Sequence, residues 1–154
     1  MITVKINGEE RQYPQGATYE DVANDYQKEY DNLIALAARD GKIRELFKKL
    51  TRDCEITFFT LKDDVGNKTY VRSATMLFLK AVFDVFGRET VQNCRVEFAI
   101  GNGSYISPKG KINATEENAA KIRNRMRELV EAKTPFLKRS YSLDNAMELF
   151  RKEG

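Results

Sequence analysis

The chain has 154 residues, a formal net charge of +3 and no histidine. Its length suits one ordinary domain or two small ones, and its small excess of base permits nucleic-acid contact without indicating it. The lack of histidine excludes the commonest general base and the commonest transition-metal ligand. We therefore expect no catalytic set and no metal site in this chain.

Charge is distributed unevenly along the sequence. Residues 1–61 carry 9 basic and 11 acidic side chains, whereas residues 62–154 carry 17 basic and 12 acidic ones. A polyanion is therefore expected to bind the second half. The two cysteines, Cys54 and Cys94, form no CxxC motif and accompany no secretion signal, which favours reduced thiols and a cytoplasmic location.

The first 61 residues predict the element order β, β, α, β, β, β. Asn7-Gly8 and Asp40-Gly41 are strong signals for two-residue hairpin turns. Thr18 is predicted to cap the helix, with Asp21 three residues later completing an acidic variant of the capping box. The predicted strands are residues 2–6, 9–13, 33–38, 42–46 and 54–59.

The most continuously apolar run lies at residues 71–87, after a polar segment at residues 62–70 that we interpret as a linker. Apolar side chains cover most of the helical circumference in this run, so it predicts a buried helix packed on a sheet. Arg72 falls in the first turn of that predicted helix. The run is shorter than the roughly 20 residues that a membrane-spanning helix needs, and we expect no membrane contact.

The remaining residues predict further strands and two helices. Residues 91–100 and 104–107 have strand patterns on either side of a Gly-Asn-Gly turn, which matches a phosphate-binding loop only weakly. Thr115 is predicted to cap a helix that ends at residue 131, and Ser142 to cap a final helix. Between them, residues 135–139 predict a short edge strand.

The helix that follows Thr115 carries basic residues around its exposed surface, which leaves two interpretations open. These residues are Lys121, Arg123, Arg125 and Arg127. We favour a solvated helix face. The alternative is a phosphate-contacting surface, supported by Lys133, Lys138 and Arg139 from the following segment.

With these elements in order, residues 1–61 resemble the TGS domain, a small ubiquitin-like β-grasp module. The resemblance rests on GATYEDVA at the start of the helix, RDGKIREL in the second hairpin and CEITFFT in the last strand. TGS domains occur on threonyl-tRNA synthetases, on GTPases and on stringent-response enzymes, where they are regarded as ligand-binding or RNA-binding appendages. The resemblance implies a binding role for residues 1–61.

The second half resembles the second additional domain of threonyl- and alanyl-tRNA synthetases, through AIGNGSYIS, EENAAKIRNRMRELV and PFLKRSYSLDNAMELF. The implied fold class is α+β, with a TGS domain at 1–61, a linker at 62–70 and a truncated two-layer α/β domain at 71–154. In those synthetases the domain edits mischarged tRNA through a His-x-x-x-His pair. Here the pair would fall on Arg72 and Met76, and neither side chain replaces imidazole, so editing is not supported.

The TGS-like start, together with TYVRSATMLFLKAVFDVFG and GNGSYIS, also resembles the N-terminal region of bacterial nucleoside kinases of the uridine kinase group. The sequence has no GxxxxGK[ST] motif to cradle ATP phosphates. The resemblance therefore implies a non-catalytic binding or regulatory region, whose partner is a C-terminal kinase domain outside this chain. ATP and magnesium are expected for that domain and no cofactor for this chain. The alternative is an RNA-binding appendage of a threonyl-tRNA-synthetase-like protein, and the expected ligand is a nucleotide or RNA.

Arg72 is the residue we single out for ligand binding. A guanidinium beside the terminal N–H groups of a helix suits a phosphate or a carboxylate. Asn102, Ser104 and Tyr105 would line the same cleft if the fold follows the synthetase arrangement. The alternative, which we favour, is a salt bridge from Arg72 to a carboxylate such as one in residues 62–64.

Overall fold

The computed structural model describes residues 1–101, 103–109 and 112–153. It is a mixed α+β chain, as predicted, and it divides into two units, Met1–Lys80 and Ala81–Gly154. In chain order the elements are β1 (Ile2–Ile6), β2 (Glu9–Tyr13), α1 (Tyr19–Tyr26), a 3-10 turn (Gln27–Glu29), β3 (Ile34–Arg39), β4 (Lys42–Arg44), β5 (Cys54–Thr60), α2 (Asp64–Phe86), α3 (Arg88–Gln92), β6 (Arg95–Ile100), β7 (Gly103–Ser107), α4 (Glu116–Glu131) and α5 (Leu143–Glu153).

The first unit contains a five-stranded sheet with the order β2-β1-β5-β3-β4. Strands β1 and β5 are parallel, and the other neighbouring strands are antiparallel. Both predicted hairpins are confirmed. Asn7 and Gly8 have φ angles of 51° and 87°, and Asp40 and Gly41 have 49° and 76°, which is the pair of positive values that a type I′ turn requires.

Helix α1 begins with the predicted capping box. The Thr18 hydroxyl accepts a hydrogen bond from the Asp21 amide at 3.1 Å, and the Asp21 carboxylate accepts one from the Thr18 amide at 2.7 Å. These bonds satisfy donors that the first turn leaves without intrahelical partners. The helix buries Tyr19, Val22 and Tyr26 in the core of the first unit, together with side chains from the sheet that include Ile2, Val4, Ile6, Ile34, Ile56 and Phe58.

Helix α2 begins at Asp64, inside the segment predicted to be a linker, and not at residue 71. The polar residues that suggested a loop form the start of the helix. The Asp63 carboxylate accepts hydrogen bonds from the Thr60 amide at 2.6 Å and from the Thr60 hydroxyl at 2.9 Å, and the Asp63 carbonyl accepts one from the Asn67 amide at 2.8 Å. Asp63 therefore fixes the turn that leads from β5 into α2.

The prediction that this helix is buried is wrong for most of its length. Ala81 and Val82 are fully buried, whereas Met76 is 59 % exposed and Phe83 is 44 % exposed. Because its apolar residues surround the helix instead of forming one stripe, a single packing face leaves the others uncovered. No helix among the described residues is long and apolar enough to cross a bilayer.

In the second unit, β6 and β7 form a two-stranded antiparallel sheet. The strand predicted at residues 91–100 begins only at Arg95, because residues 88–92 form α3. The Val91 amide donates to the Gly87 carbonyl and the Cys94 amide donates to the Val91 carbonyl. The backbone groups of Val91 therefore form helical hydrogen bonds, although the alternating pattern predicted a strand there.

Helices α4 and α5 begin as predicted. The Thr115 hydroxyl accepts a hydrogen bond from the Asn118 amide, and the Ser142 hydroxyl accepts one from the Asn145 amide, both at 3.3 Å. The edge strand predicted at residues 135–139 is absent, and that described segment has no regular secondary structure. A strand needs a neighbour to accept its backbone hydrogen bonds, and the second unit's described strands pair only with each other.

Candidate functional site

Arg72 lies in the interior of α2, eight residues after the helix begins. Only the first four N–H groups of a helix lack intrahelical partners, so Arg72 does not share an anion site with them, contrary to the sequence-based argument. The favoured salt bridge, to residues 62–64 or to another carboxylate, does not form among the described residues either. Asp64 pairs with Lys68 at 2.9 Å. The Arg72 side chain is exposed.

Ser104 and Tyr105 are neighbours on β7, opposite Ala99 and Phe98 of β6. The Tyr105 ring stacks on the Phe98 ring with a centroid distance of 5.2 Å and an interplanar angle of 23°. Asn102, predicted to line the same cleft, lies outside the described residues. Ser104 and Tyr105 belong to the second unit and Arg72 to the first.

The predicted phosphate contacts on α4 already have carboxylate partners. The Lys121 ammonium lies 2.7 Å from the Glu117 carboxylate. Arg125 Nε lies 2.9 Å from the Asp84 carboxylate, and Arg125 Nη1 lies 2.8 Å from the Glu128 carboxylate. The hydrogen bonds to Glu128 and Asp84 raise the pKa of Arg125. This surface is consistent with the favoured solvated helix face more than with an unoccupied phosphate site.

The other two predicted contacts, Lys138 and Arg139, are adjacent and exposed in the segment between α4 and α5. That segment has no regular secondary structure, so no helix or strand fixes the direction of either side chain.

The structure shows a basic cluster that the sequence analysis did not identify. A surface cavity of about 390 Å³ in the first unit, which we call the basic pocket, is lined by Tyr19, Arg39, Arg44, Glu45, Lys48 and Lys49, among others. The sequence signal was present, because residues 39–52 contain six basic and two acidic side chains. The basic cluster was missed because the net charge was summed over all of residues 1–61, where it is −2.

Backbone hydrogen bonds hold the wall of the basic pocket in place. The segment between β4 and β5 is joined to the start of α1, where the Tyr19 amide donates to the Lys48 carbonyl at 3.0 Å and the Glu20 amide donates to the Leu46 carbonyl at 2.8 Å. The Leu50 amide donates to the Ala17 carbonyl at 2.7 Å. The backbone that carries the basic side chains is therefore fixed by hydrogen bonds, so the pocket wall is already formed before a ligand binds.

Charge in the basic pocket is poorly balanced. Among the described residues, Arg39, Arg44, Lys48 and Lys49 form no ion pair, and Glu45 is the acidic residue of the lining. Arg39 Nη1 donates to the Thr51 hydroxyl at 3.0 Å, and Arg44 Nη1 donates to the Ile43 carbonyl at 3.1 Å. These neutral partners orient the guanidinium groups without cancelling their charge.

Tyr19 is fully buried, and its hydroxyl donates no hydrogen bond among the described residues. Burial raises the pKa of Tyr19, while Arg39, through its charge and as a hydrogen-bond donor, and the charge of Arg44 act in the opposite direction. The hydroxyl therefore remains protonated at neutral pH and is a donor close to two guanidinium groups.

The described residues contain no cluster of three or more His, Cys, Asp or Glu side chains that could hold a metal ion. Cys54 and Cys94 are free thiols of intermediate exposure, and burial raises the pKa of each. A raised pKa leaves a thiol less nucleophilic at neutral pH.

The chain is similar to threonine–tRNA ligases. It is 29% identical to that of Thermotoga maritima over 97% of this chain and 23% of the ligase, and 28% identical to that of Maricaulis maris over 100% of this chain and 24% of the ligase. The ligase of Carboxydothermus hydrogenoformans is 26% identical over the same shares. The chain thus spans about a quarter of the length of these relatives. No protein-family model matches it.

These similarities correct the main functional expectation. The interpretation as a regulatory region of a uridine kinase is wrong, because the chain matches threonine–tRNA ligases at about 28% identity over 97% to 100% of its length. They favour the synthetase-like alternative. ATP and magnesium were expected only for the kinase domain, and no observation on this chain bears on them.

Proposed function

We propose that this chain is a non-catalytic, RNA-binding appendage of a threonyl-tRNA-synthetase-like protein. The observation that carries the proposal is the similarity to threonine–tRNA ligases, which extends over 97% to 100% of the chain. A protein of that kind works on tRNA, and an appendage that binds the phosphate backbone needs no catalytic residue. The absence of histidine from the sequence fits that role, because phosphate contacts rely on lysine and arginine.

The proposal includes the finer fold assignment. Residues 1–61 form a TGS-type β-grasp domain, and residues 71–154 belong to a domain like the second additional domain of the synthetases. The parallel pairing of β1 with β5 between two hairpins, with α1 across one face, supports the first assignment.

The proposed phosphate contacts are Lys121, Arg125, Lys138 and Arg139. A phosphate has to compete with Glu117 for Lys121, and with Asp84 and Glu128 for Arg125. The exposed pair between Lys121 and Glu117 is weak in water, so its exchange for a phosphate opposes binding only slightly. The Asp84 side chain is only 15 % exposed, so releasing Arg125 from Asp84 opposes binding more.

The test is titration of the full chain with a threonine-accepting tRNA transcript at several salt concentrations. Each neutralised phosphate releases counterions, so affinity should fall steeply as salt rises. The double variant Lys138→Gln, Arg139→Gln should lower the slope of log affinity against log salt by about 2, since each contact contributes roughly 1. The control variant Lys5→Gln, Lys28→Gln removes the same charge from exposed positions of the first unit and should leave the slope unchanged.

Absence of tRNA binding at about 50 mM salt, where phosphate contacts are strong, would contradict the proposal. So would equal losses in the test and control variants, because they would reflect net charge instead of a defined contact surface.

A further inference from the structure

The basic pocket has the features of a ligand site, and none of them depends on the proposed function. Its volume of about 390 Å³ falls within the range of roughly 300 to 1,000 Å³ that is typical of small-molecule sites. Its walls are fixed by the backbone hydrogen bonds between the start of α1 and the segment that precedes β5. The pocket also lies within the first unit, so its geometry is set by one folded core.

The charge of the lining selects for an anion. Like charges on Arg39, Arg44, Lys48 and Lys49 repel one another, and Glu45 is the acidic residue beside these four cations. A bound anion relieves that repulsion, and two guanidinium groups can each offer paired N–H donors to it. Arg39 and Arg44 are half-buried, where such interactions are screened less than at the open surface.

The Tyr19 hydroxyl is a second, independent indication of a ligand. A buried polar group without a partner is unfavourable, and such groups usually have a partner in the functional state of the protein. The Tyr26 hydroxyl also lacks a partner among the described residues. Tyr26 does not line the basic pocket, so it provides a matched comparison.

We propose that the basic pocket binds a phosphate group, with Arg39, Arg44, Lys48 and Lys49 neutralising its charge and the Tyr19 hydroxyl donating a hydrogen bond to one of its oxygens. A terminal phosphate suits four cations better than a carboxylate because it has three acceptor oxygens and a charge of about −1.5 to −2, against two oxygens and a charge of −1. The group comes either from a small phosphorylated molecule or from an RNA backbone. The backbone N–H groups of Tyr19 and Glu20 take no part, since each already donates to a carbonyl.

The test is titration of the full chain with inorganic pyrophosphate. NMR chemical shifts locate the binding site, and calorimetry measures the affinity. We expect shifts centred on Tyr19 and Thr51, and affinity that weakens as salt rises. Tyr19→Phe should weaken binding roughly tenfold, because a hydrogen bond to a charged acceptor is lost. Tyr26→Phe removes an equivalent hydroxyl elsewhere in the core and should leave affinity unchanged. Both variants should unfold close to the thermal midpoint of the wild type in the absence of ligand, since neither hydroxyl donates a hydrogen bond among the described residues.

A second pair of variants tests the charge. Arg44→Gln should weaken pyrophosphate binding about tenfold, whereas Lys28→Gln, an equal change of net charge at an exposed position away from the pocket, should have no effect. The proposal is overturned if pyrophosphate at millimolar concentration produces no localised chemical-shift changes. It is also overturned if Tyr26→Phe weakens binding as much as Tyr19→Phe, or Lys28→Gln as much as Arg44→Gln.

Competition with RNA identifies the source of the phosphate. If an RNA oligonucleotide displaces pyrophosphate from the wild type, and Tyr19→Phe weakens both, the pocket holds a backbone phosphate. If RNA and pyrophosphate bind at the same time, the pocket serves a small phosphorylated molecule. The two proposals can be tested separately. If the Lys138→Gln, Arg139→Gln variant loses RNA binding but still binds pyrophosphate, the basic pocket is intact.

Discussion

The two units differ in how much of their apolar sequence they bury. Of the nineteen buried hydrophobic residues among those the structure describes, sixteen lie in the first unit, and the other three are Ala81, Val82 and Leu129. In the second unit, large side chains on β6 and α5 are exposed, including Phe98 at 58 %, Ile100 at 62 % and Phe150 at 68 %.

The difference follows from the number of strands and from what covers them. In the first unit, alternate residues of a five-stranded sheet pack against α1, so one continuous core forms. In the second unit, both faces of the β6–β7 sheet are largely exposed, and a two-stranded sheet is marginal without a layer against it. Capping and turn signals therefore specify elements in both units, whereas the described residues form a large core only in the first.

The largest expected effect comes from the same substitution in the two sheets. Ile56→Ala in β5 removes a side chain that is 2 % exposed and should lower the free energy of unfolding by about 2 to 5 kcal/mol. Ile100→Ala in β6 removes one that is 62 % exposed and should change it by no more than about 0.5 kcal/mol. Urea denaturation of both variants measures the two values.

An equal loss of unfolding free energy in these two variants would contradict the difference in burial between the two units, since it would show that Ile100 is buried in solution. Amide hydrogen exchange on the wild type gives a second reading of the same contrast. Amides of β1 and β5 should exchange only on global unfolding, and those of β6 should exchange by local opening.

A smaller effect is expected at a glycine that lies where β5 meets α2. A Cβ built on Gly66 would overlap the Thr60 carbonyl, which is backbone and cannot rotate away. Gly66→Ala should therefore cost about 1 to 3 kcal/mol, as overpacking does elsewhere. At Gly103 in the second unit a Cβ would lie 3.6 Å from the Ile100 carbonyl, an ordinary contact, so Gly103→Ala is the control. If Gly66→Ala unfolds at the wild-type urea midpoint, Gly66 does not lie against the Thr60 carbonyl in solution.

Much of the fold of the first unit was predictable because its signals are local. Each hairpin turn needs two residues that tolerate positive φ, and Asn7-Gly8 and Asp40-Gly41 supply them. The start of α2 was missed because an aspartate just before a helix is also typical of a loop. Asp63 is distinguished only by its bonds to Thr60, which depend on where β5 ends.

The candidate site was harder to predict, because it depends on which distant residues meet. Tyr19 and Lys48 are far apart in sequence and are joined by a backbone hydrogen bond that no local pattern predicts. On α4, the spacing of four residues between Glu117 and Lys121 makes their ion pair predictable from sequence, whereas the pairing of Arg125 with Asp84 is not. Arg125 meets Asp84, forty-one residues earlier, only once α2 and α4 are folded.

The smallest expected effect is a difference in acid sensitivity between the units. Hydrogen bonds from the Thr18 amide and hydroxyl lower the pKa of Asp21 in the folded state. A carboxyl with a lowered pKa stabilises the fold above its unfolded pKa of about 3.9 and loses that contribution as pH falls through the folded value. Asp21→Asn should therefore be less stable than the wild type at pH 7, and the difference should shrink below about pH 4.

Glu117 provides the matched test in the second unit, because its bond with Lys121 lowers the pKa of Glu117 as well. Since α4 lies outside the core of the first unit, Glu117→Gln should leave the main unfolding transition unchanged at every pH. The measurement is the urea midpoint of Asp21→Asn and of Glu117→Gln, each compared with the wild type at pH 7 and at about pH 3. A pH-dependent shift of equal size in both would mean that the units unfold as one, because only then does a helix cap in one unit and an ion pair in the other contribute to the same transition.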